Sequence, residues 1–438
     1  METQPIPGRR PFLKTIATSV AAPSIFTNLV AASNKPSPSN TITLGCIGMG
    51  GHGTKYNMKL FLNEPDCRVL AVCDVFRSRA NAAAELVDQH YEDGSCKACY
   101  DFREILSDPK IDAVVISTPD HWHVPIAKMA LAAGKHVFCE KPTYCINEGK
   151  ELIDAVQSSG KTFQIGLEDR SLTHYHKLVE WERNGAIGDL YHVEVTMPVG
   201  SIKPYAPPAP VPDDLNWQMW LGPAPDHPYT KTRTGAMNWR YIRDYSTGML
   251  TDWGAHLMDT AQLAINDPLS CPVEVKAWGH EVPAGSESDI PAVYDVHYRY
   301  SNGITAHVKN SVGAEWMGQK ATIRLQGSKG WVEVEGWRGK FNASDPAILK
   351  QRYSAEQSKH WQMPPSEHRN FLDCIRSGAK TTYPVETLHN LSTTLHLGLI
   401  SMDLGRSLQW DPSRNRFVND PSANKRLGRT MREDWKKA

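Results

Sequence analysis

The chain has 438 residues, enough for two domains that each bury a core. Hydrophobic residues make up 40% and charged residues 22%, a globular composition. The 48 basic side chains balance 48 acidic ones, which excludes the basic footprint of a nucleic-acid binder, and nine scattered cysteines exclude a paired disulfide framework.

In chain order, residues 1–34 come first. Arg9-Arg10 and Pro11-Phe12-Leu13-Lys14 precede a mostly apolar stretch at 16–30, closed by Ala31-Ala32-Ser33. This pattern resembles a twin-arginine export signal with cleavage near Ala32. The apolar stretch is too interrupted for a good membrane span. The expectation is an exported, periplasmic protein without a stable membrane span once the signal is removed. Proteins using that route cross the membrane folded, which suits a chain that must take up a cytosolic cofactor beforehand and keep it.

Residues 41–47 read as a strand that runs into Gly48-Met49-Gly50-Gly51-His52-Gly53 and then a helix from near Thr54. Strand, GxGxxG, helix is the order a dinucleotide-binding turn needs. Gly48 allows the tight turn, Gly50 lets backbone approach a pyrophosphate, and Gly53 lets helix and strand pack closely. A second strand at 68–73 ends in Asp74, placed to accept the hydroxyls of an adenosine ribose, which favours NAD. Arg77 and Arg79 follow and could serve the 2′-phosphate of NADP. Strands at 113–117 and 136–139 alternate with helices at 102–106 and 124–133, the signature of a doubly wound parallel sheet. Ligands bind beyond the C-terminal strand ends of such sheets. Two polar clusters fall there: Thr118-Pro119-Asp120-His121-Trp122-His123 and Glu140-Lys141-Pro142-Thr143. Residues 40–162 are therefore read as an NAD(P)-binding Rossmann domain.

The glycine turn, the 118–123 segment, Glu140-Lys141-Pro142 and Asp252-Trp253-Gly254-Ala255-His256 resemble the Gfo/Idh/MocA oxidoreductases (glucose–fructose oxidoreductase, inositol dehydrogenase). The runs at 220–225 and 404–410 look like a secreted, twin-arginine branch of that family. The resemblance implies that Lys141 touches both nicotinamide ribose and substrate hydroxyl, that Asp252 and His256 form a proton-handling pair, and that His123, with Thr118, Pro119 and Glu140, neighbours the cofactor. At i, i+4 on a helix Asp252 and His256 share a face, so the carboxylate can orient the imidazole. Two metal ligands could also share that face, but no third ligand is evident. The lone Cys96/Cys99 pair is likewise incomplete, so no metal site is expected.

Residues 163–438 are read as an α/β substrate domain. Its first strand, at 162–166, leads to Glu168-Asp169-Arg170, and the resemblance places this strand over the cleft with Arg170 as a substrate or structural arginine. Helices follow at 174–184 and 386–404, with an extended proline-rich arm at 204–212. From 273 onward strands dominate, with a hairpin signal at Asn302-Gly303, which points to a largely antiparallel sheet. The resemblance adds that its open face forms a homo-oligomer interface. Trp217, Trp220, Trp239, Tyr241, Tyr245 and Trp253, interleaved with Arg240, Arg243 and Asp244, suit an aromatic wall against a sugar, with Trp239, Arg240 and Tyr241 as substrate residues. The leading expectation is hydride transfer at a sugar or polyol carbon. An NAD-dependent glycoside hydrolase of the same superfamily is the alternative, disfavoured because the resemblance implies that those hydrolases lack the lysine at 141. A non-catalytic sugar sensor is the third reading, and it would not need to retain Lys141, Asp252 and His256.

Overall fold

The computed structural model describes residues 40–267, 270–310, 321–354, 356–359 and 363–435. The segment read as an export signal lies outside them. Residues 36–438 form one compact unit built on two sheets.

The first sheet is parallel and six-stranded: β1 (Ile42–Ile47), β2 (Cys67–Cys73), β3 (Lys97–Cys99), β4 (Ala113–Ile116), β5 (His136–Glu140) and β6 (Phe163–Gly166), in the order β3-β2-β1-β4-β5-β6. Strands such as Ala113-Val-Val-Ile116 are buried at every position, because helices cover both faces of the sheet. The strand order reverses between β1 and β4, and the crevice beyond that point is where such sheets bind ligands. β6 pairs in parallel with β5. The strand expected over the cleft is thus the last strand of the parallel sheet, and the boundary drawn at 162 falls just before it. A four-residue, fully buried apolar strand fits the interior of either sheet, so its sequence did not decide between them.

The second sheet has nine strands: β7 (Leu190–Met197), β8 (Glu274–Gly279), β9 (Tyr294–Arg299), β10 (Thr305–Asn310), β11 (Thr322–Gly327), β12 (Gly330–Glu335), β13 (Lys340–Ala343), β14 (Leu408–Asp411) and β15 (Arg416–Phe417). Their order is β13-β12-β11-β7-β10-β9-β8-β14-β15, and only β7 and β10 run parallel. The hairpin at Asn302-Gly303 forms as read, with Gly303 at φ +87°. Strand after strand alternates a buried with a more open position, so one face packs on helices and the other is open.

Two helices lie against that packed face. Met249–Ile265 carries the Asp252/His256 motif and is buried along most of its length. Val385–Leu404 is buried nearly all round, and Leu388, Leu391, Leu395, Leu397 and Leu399 are each at most 4% exposed. At roughly 1.5–3 kcal/mol per buried leucine, this helix is a main contributor to the core. Among the described residues no helix is long and apolar enough to cross a membrane. All nine cysteines are unpaired.

The polar cluster at 120–123 is not a loop. The helix begins at Asp120 and continues to Ala132, with Pro125 inside it. Pro125 has no N–H for the carbonyl of His121 four residues earlier, and the Arg429 guanidinium takes that carbonyl at 2.7 Å. A side chain from the far end of the chain thus repairs the helix.

Candidate active site

The glycine turn has the geometry its three glycines require. Gly48 sits at φ +91°, and a Cβ there would lie 2.7 Å from the Ser117 backbone. A Cβ on Gly53 would lie 2.0 Å from the Gly48 carbonyl oxygen. Gly50 differs: a Cβ there would meet nothing within 4 Å, so its backbone faces open space at the start of a helix. Asp74 closes the turn from β2. Its Oδ2 accepts from the Met49 N–H and its Oδ1 from the Phe76 N–H, both at 2.8 Å. Arg79 stacks on Phe76, its guanidinium 3.9 Å from the ring centre. At the end of β4 the Thr118 hydroxyl is buried with no hydrogen-bond partner among the described residues. An open glycine backbone, an acid at the end of β2 and an unpaired hydroxyl beside them are the donor and acceptor set an NAD molecule needs.

β5 delivers Glu140 and Lys141, and a cis bond joins Lys141 to Pro142. Glu140 Oε1 accepts from Asn57 at 2.8 Å and faces His52 Nε2 at 2.9 Å. Burial pushes this carboxyl up, but His52 and Lys141 outweigh it and hold it down at about 2. Lys141 Nζ donates to Asp252 Oδ1 at 2.8 Å and to the Asp252 carbonyl at 3.0 Å. Arg240 Nε donates to the other carboxylate oxygen at 2.9 Å. Burial raises Asp252, yet the two cations hold it far below the usual carboxylate range. Burial lowers Lys141, but Asp252 and Glu140 overcome it and keep the ammonium protonated beyond its usual range. Two of the three ammonium hydrogens are used, leaving one for a ligand.

His256 does not pair with Asp252, which overturns the expected dyad. The carboxylate of Asp252 is taken by Lys141 and Arg240. His256 Nδ1 instead faces Asp169 Oδ2 at 2.8 Å, with Glu168 Oε2 at 3.9 Å. Arg338, from the turn after β12, pairs with Glu168 at 2.9 Å. Burial and Lys141 lower His256, while Asp169 and Glu168 outweigh them and raise it above the ordinary histidine value. Among the described residues His256 Nε2 makes no hydrogen bond. Glu168, Asp169 and His256 also bring ligand atoms within 4.8 Å of one another, so the third ligand that Asp252 and His256 lacked is present for His256 in another form. Both acids directly follow β6 at the C-terminal edge of the parallel sheet. That position was the available signal for them.

Other expected residues have structural work. His123 is buried and links two loops, Nδ1 against the Pro142 carbonyl and Nε2 against the Thr118 carbonyl, each at 2.9 Å. It braces the cofactor-side loops and presents no free nitrogen. Pro119 caps the helix that follows. Arg170 is half-buried and bidentate to Asp259 at 2.9 and 2.7 Å, with a third bond to the Thr382 carbonyl, so it is the structural arginine. Tyr241 is buried with its hydroxyl toward the Met249 sulfur. Trp217, Trp220 and Tyr245 form a satellite core. Of the expected wall, Trp239 is half-buried and stacks under Arg240, 4.1 Å away. Asp120, not singled out from the sequence, is wholly buried with Ser246 Oγ at 2.6 Å, and burial pushes it up to about 6.

Fold and site together define an α/β protein with an NAD-binding Rossmann domain. Residues 42–167 match the family model for the NAD-binding Rossmann fold and residues 198–437 match its C-terminal α/β domain, so the chain belongs to the Gfo/Idh/MocA oxidoreductase family. It is 31% identical to inositol 2-dehydrogenase of Salmonella typhimurium over 150 residues, which is 34% of this chain and 43% of that protein. It is 28% identical to an alpha-N-acetylgalactosaminidase of Shewanella oneidensis over 207 residues, 42% and 45% of the two chains. The chain thus spans less than half the length of these curated relatives. In fold it is similar to an aldose-aldose oxidoreductase from Caulobacter crescentus crystallised with glycerol, with a TM-score of 0.60 at 19% identity over 84% of this chain and 99% of that one.

Proposed function

We propose that the protein transfers hydride to or from a carbon of a sugar or polyol, with Lys141 and His256 handling the hydroxyl proton. The observation that carries this reading is that Lys141 and His256, close enough for the ammonium to act on the imidazole, are held by different acids. Lys141 is held protonated by Asp252, and His256, oriented by Asp169, keeps Nε2 free of hydrogen bonds among the described residues. Bound NAD supplies the hydride acceptor or donor. In the oxidation direction neutral His256 accepts the hydroxyl proton at Nε2 while the Lys141 ammonium stabilises the oxygen as it becomes anionic. In reduction the imidazolium returns that proton. Asp252 stays ionised throughout, so it is a positioning residue that fixes Lys141 and Arg240. Inositol 2-dehydrogenase supports the substrate class by its name.

The test uses cofactor-loaded Lys141→Ala and His256→Ala proteins against a panel of aldoses, glycosides and inositols. Turnover should fall by about 10²–10⁴-fold in each while NAD still binds. Unchanged turnover in both would remove the assignment. The galactosaminidase relative supports a second reading, transient oxidation coupled to glycoside cleavage. Release of nitrophenol from nitrophenyl glycosides, without net change in NAD redox state, would favour it over net oxidation.

A further inference from the structure

The open face of the nine-stranded sheet carries a cluster that the active site does not use. Asp295 and His297 lie two residues apart on β9, so their side chains share that face. His307 on β10 is directly opposite His297 in the antiparallel register. The two imidazole rings stack with centroids 4.2 Å apart and planes within 9°. Both Nε2 atoms converge on one carboxylate, His297 on Oδ1 at 2.7 Å and His307 on Oδ2 at 2.9 Å. The Oδ1 contact is close but misdirected: that oxygen is buried and accepts no hydrogen bond of proper geometry. The ligand atoms of all three residues lie within 4.8 Å of one another.

We infer that Asp295, His297 and His307 form a binding site for a divalent transition-metal ion, Zn²⁺ being the ion tested, on the open face of the sheet. Two imidazoles and one carboxylate are a ligand set for zinc and its neighbours, not for calcium or magnesium, which take oxygen donors. Rigid β-strands fix the three donors, so binding requires only small side-chain rotations. Two lysines flank it, and Lys276, across from His297 in the β8–β9 register, is exposed, so its ammonium can turn to solvent. Lys309, across from Asp295 in the register, is neutralised by Glu194 at 2.7 Å. His297 is 56% exposed on its side chain, which leaves the fourth coordination position open to water. The family resemblance expects an oligomer interface on this face and assigns no metal to it.

The experiment is Zn²⁺ titration of the full, tag-free chain after chelator treatment, by calorimetry, with Co²⁺ absorbance reporting geometry. The chain holds a second three-residue cluster at Glu168, Asp169 and His256, so the variants must separate the two. One Zn²⁺ should bind per chain, retained in His256→Ala and weakened at least tenfold in His297→Gln and in His307→Gln. The exposed His297 variant guards against a folding artefact at the more buried His307. Sugar turnover should be unchanged in His297→Gln. Loss of binding in His256→Ala with retention in His297→Gln, or no stoichiometric Zn²⁺ at all, would overturn the inference.

Discussion

His256 works as a base only when neutral, and Asp169 and Glu168 raise its pKa above the ordinary value of about 6.5. Sugar oxidation should therefore rise with pH through a midpoint above about 6.5, and reduction should fall through the same midpoint. Asp169→Asn removes the nearest carboxylate charge, so the midpoint should move to lower pH. The check is kcat/KM against pH for both proteins in the oxidation direction; an unmoved midpoint would separate His256 from the rate-determining proton. Asp252 makes a different prediction. Asp252→Asn leaves Lys141 and Arg240 without their shared anion, so kcat should drop by about 10-fold or more. The pH midpoint should move down less than in Asp169→Asn, because Asp169 makes the hydrogen bond to His256 and Asp252 acts on it only through its charge. At this scale the sequence was informative about residue types and less so about partners. Lys141 stands out because it follows a strand and precedes proline. Asp169 could not be paired with His256 from spacing, since 87 residues separate them and only the docking of the helix Met249–Ile265 against the end of β6 joins them.

A strand–glycine–helix turn makes the sharpest prediction among the elements. Gly48 is at φ +91°, and an added methyl would stand 2.7 Å from the Ser117 backbone, so Gly48→Ala should cost roughly 1–3 kcal/mol of stability. Gly50 has open space around it, so Gly50→Ala should leave stability within the scatter of a neutral surface change, about ±0.5 kcal/mol. The same methyl would stand where a pyrophosphate approaches the backbone, and NAD affinity should fall at least tenfold. Thermal melts paired with NAD titrations decide it; a large Tm loss in Gly50→Ala would contradict the open face. The parallel sheet was readable because continuous apolar runs between glycine and polar punctuation have few other meanings. The aromatic wall was not. A tryptophan suits a sugar-stacking surface and a satellite core equally, and Trp217, Trp220 and Tyr245 bury against one another. Only Trp239 keeps a half-open face.

Across the whole molecule, residues 429–435 contact both the dinucleotide-binding half and the 217–222 segment of the second domain. Arg429 donates to the buried Glu148 at 2.7 Å and to the His121 carbonyl, Arg432 donates to the Gly222 carbonyl at 2.7 Å, and Trp435 packs edge-on to Trp122 at 4.8 Å. These contacts tie the helix Asp120–Ala132 to the C-terminal segment and oppose separation of the two sheets. Arg429→Ala would strand the Glu148 carboxylate in the core and leave the His121 carbonyl without its partner, a loss of about 3–5 kcal/mol measurable by urea unfolding. The same clasp bears on the sequence-based expectation that the protein is exported with its cofactor aboard, which we propose here as its mode of use. Outside the cytoplasm no nucleotide pool refills an emptied site, so an exported protein would have to release its nucleotide slowly. Mass spectrometry of the purified, denatured protein should then find NAD(H) in near-stoichiometric amount. Added sugar donor should change the bound nucleotide's absorbance at about 340 nm without releasing it through an ultrafiltration membrane. Arg429→Ala should release nucleotide faster than the parent chain under identical dialysis. A parent chain that loses its nucleotide on simple dialysis would leave hydride transfer at Lys141 and His256 intact and remove retention, and with it the physical reason for coupling this chemistry to export.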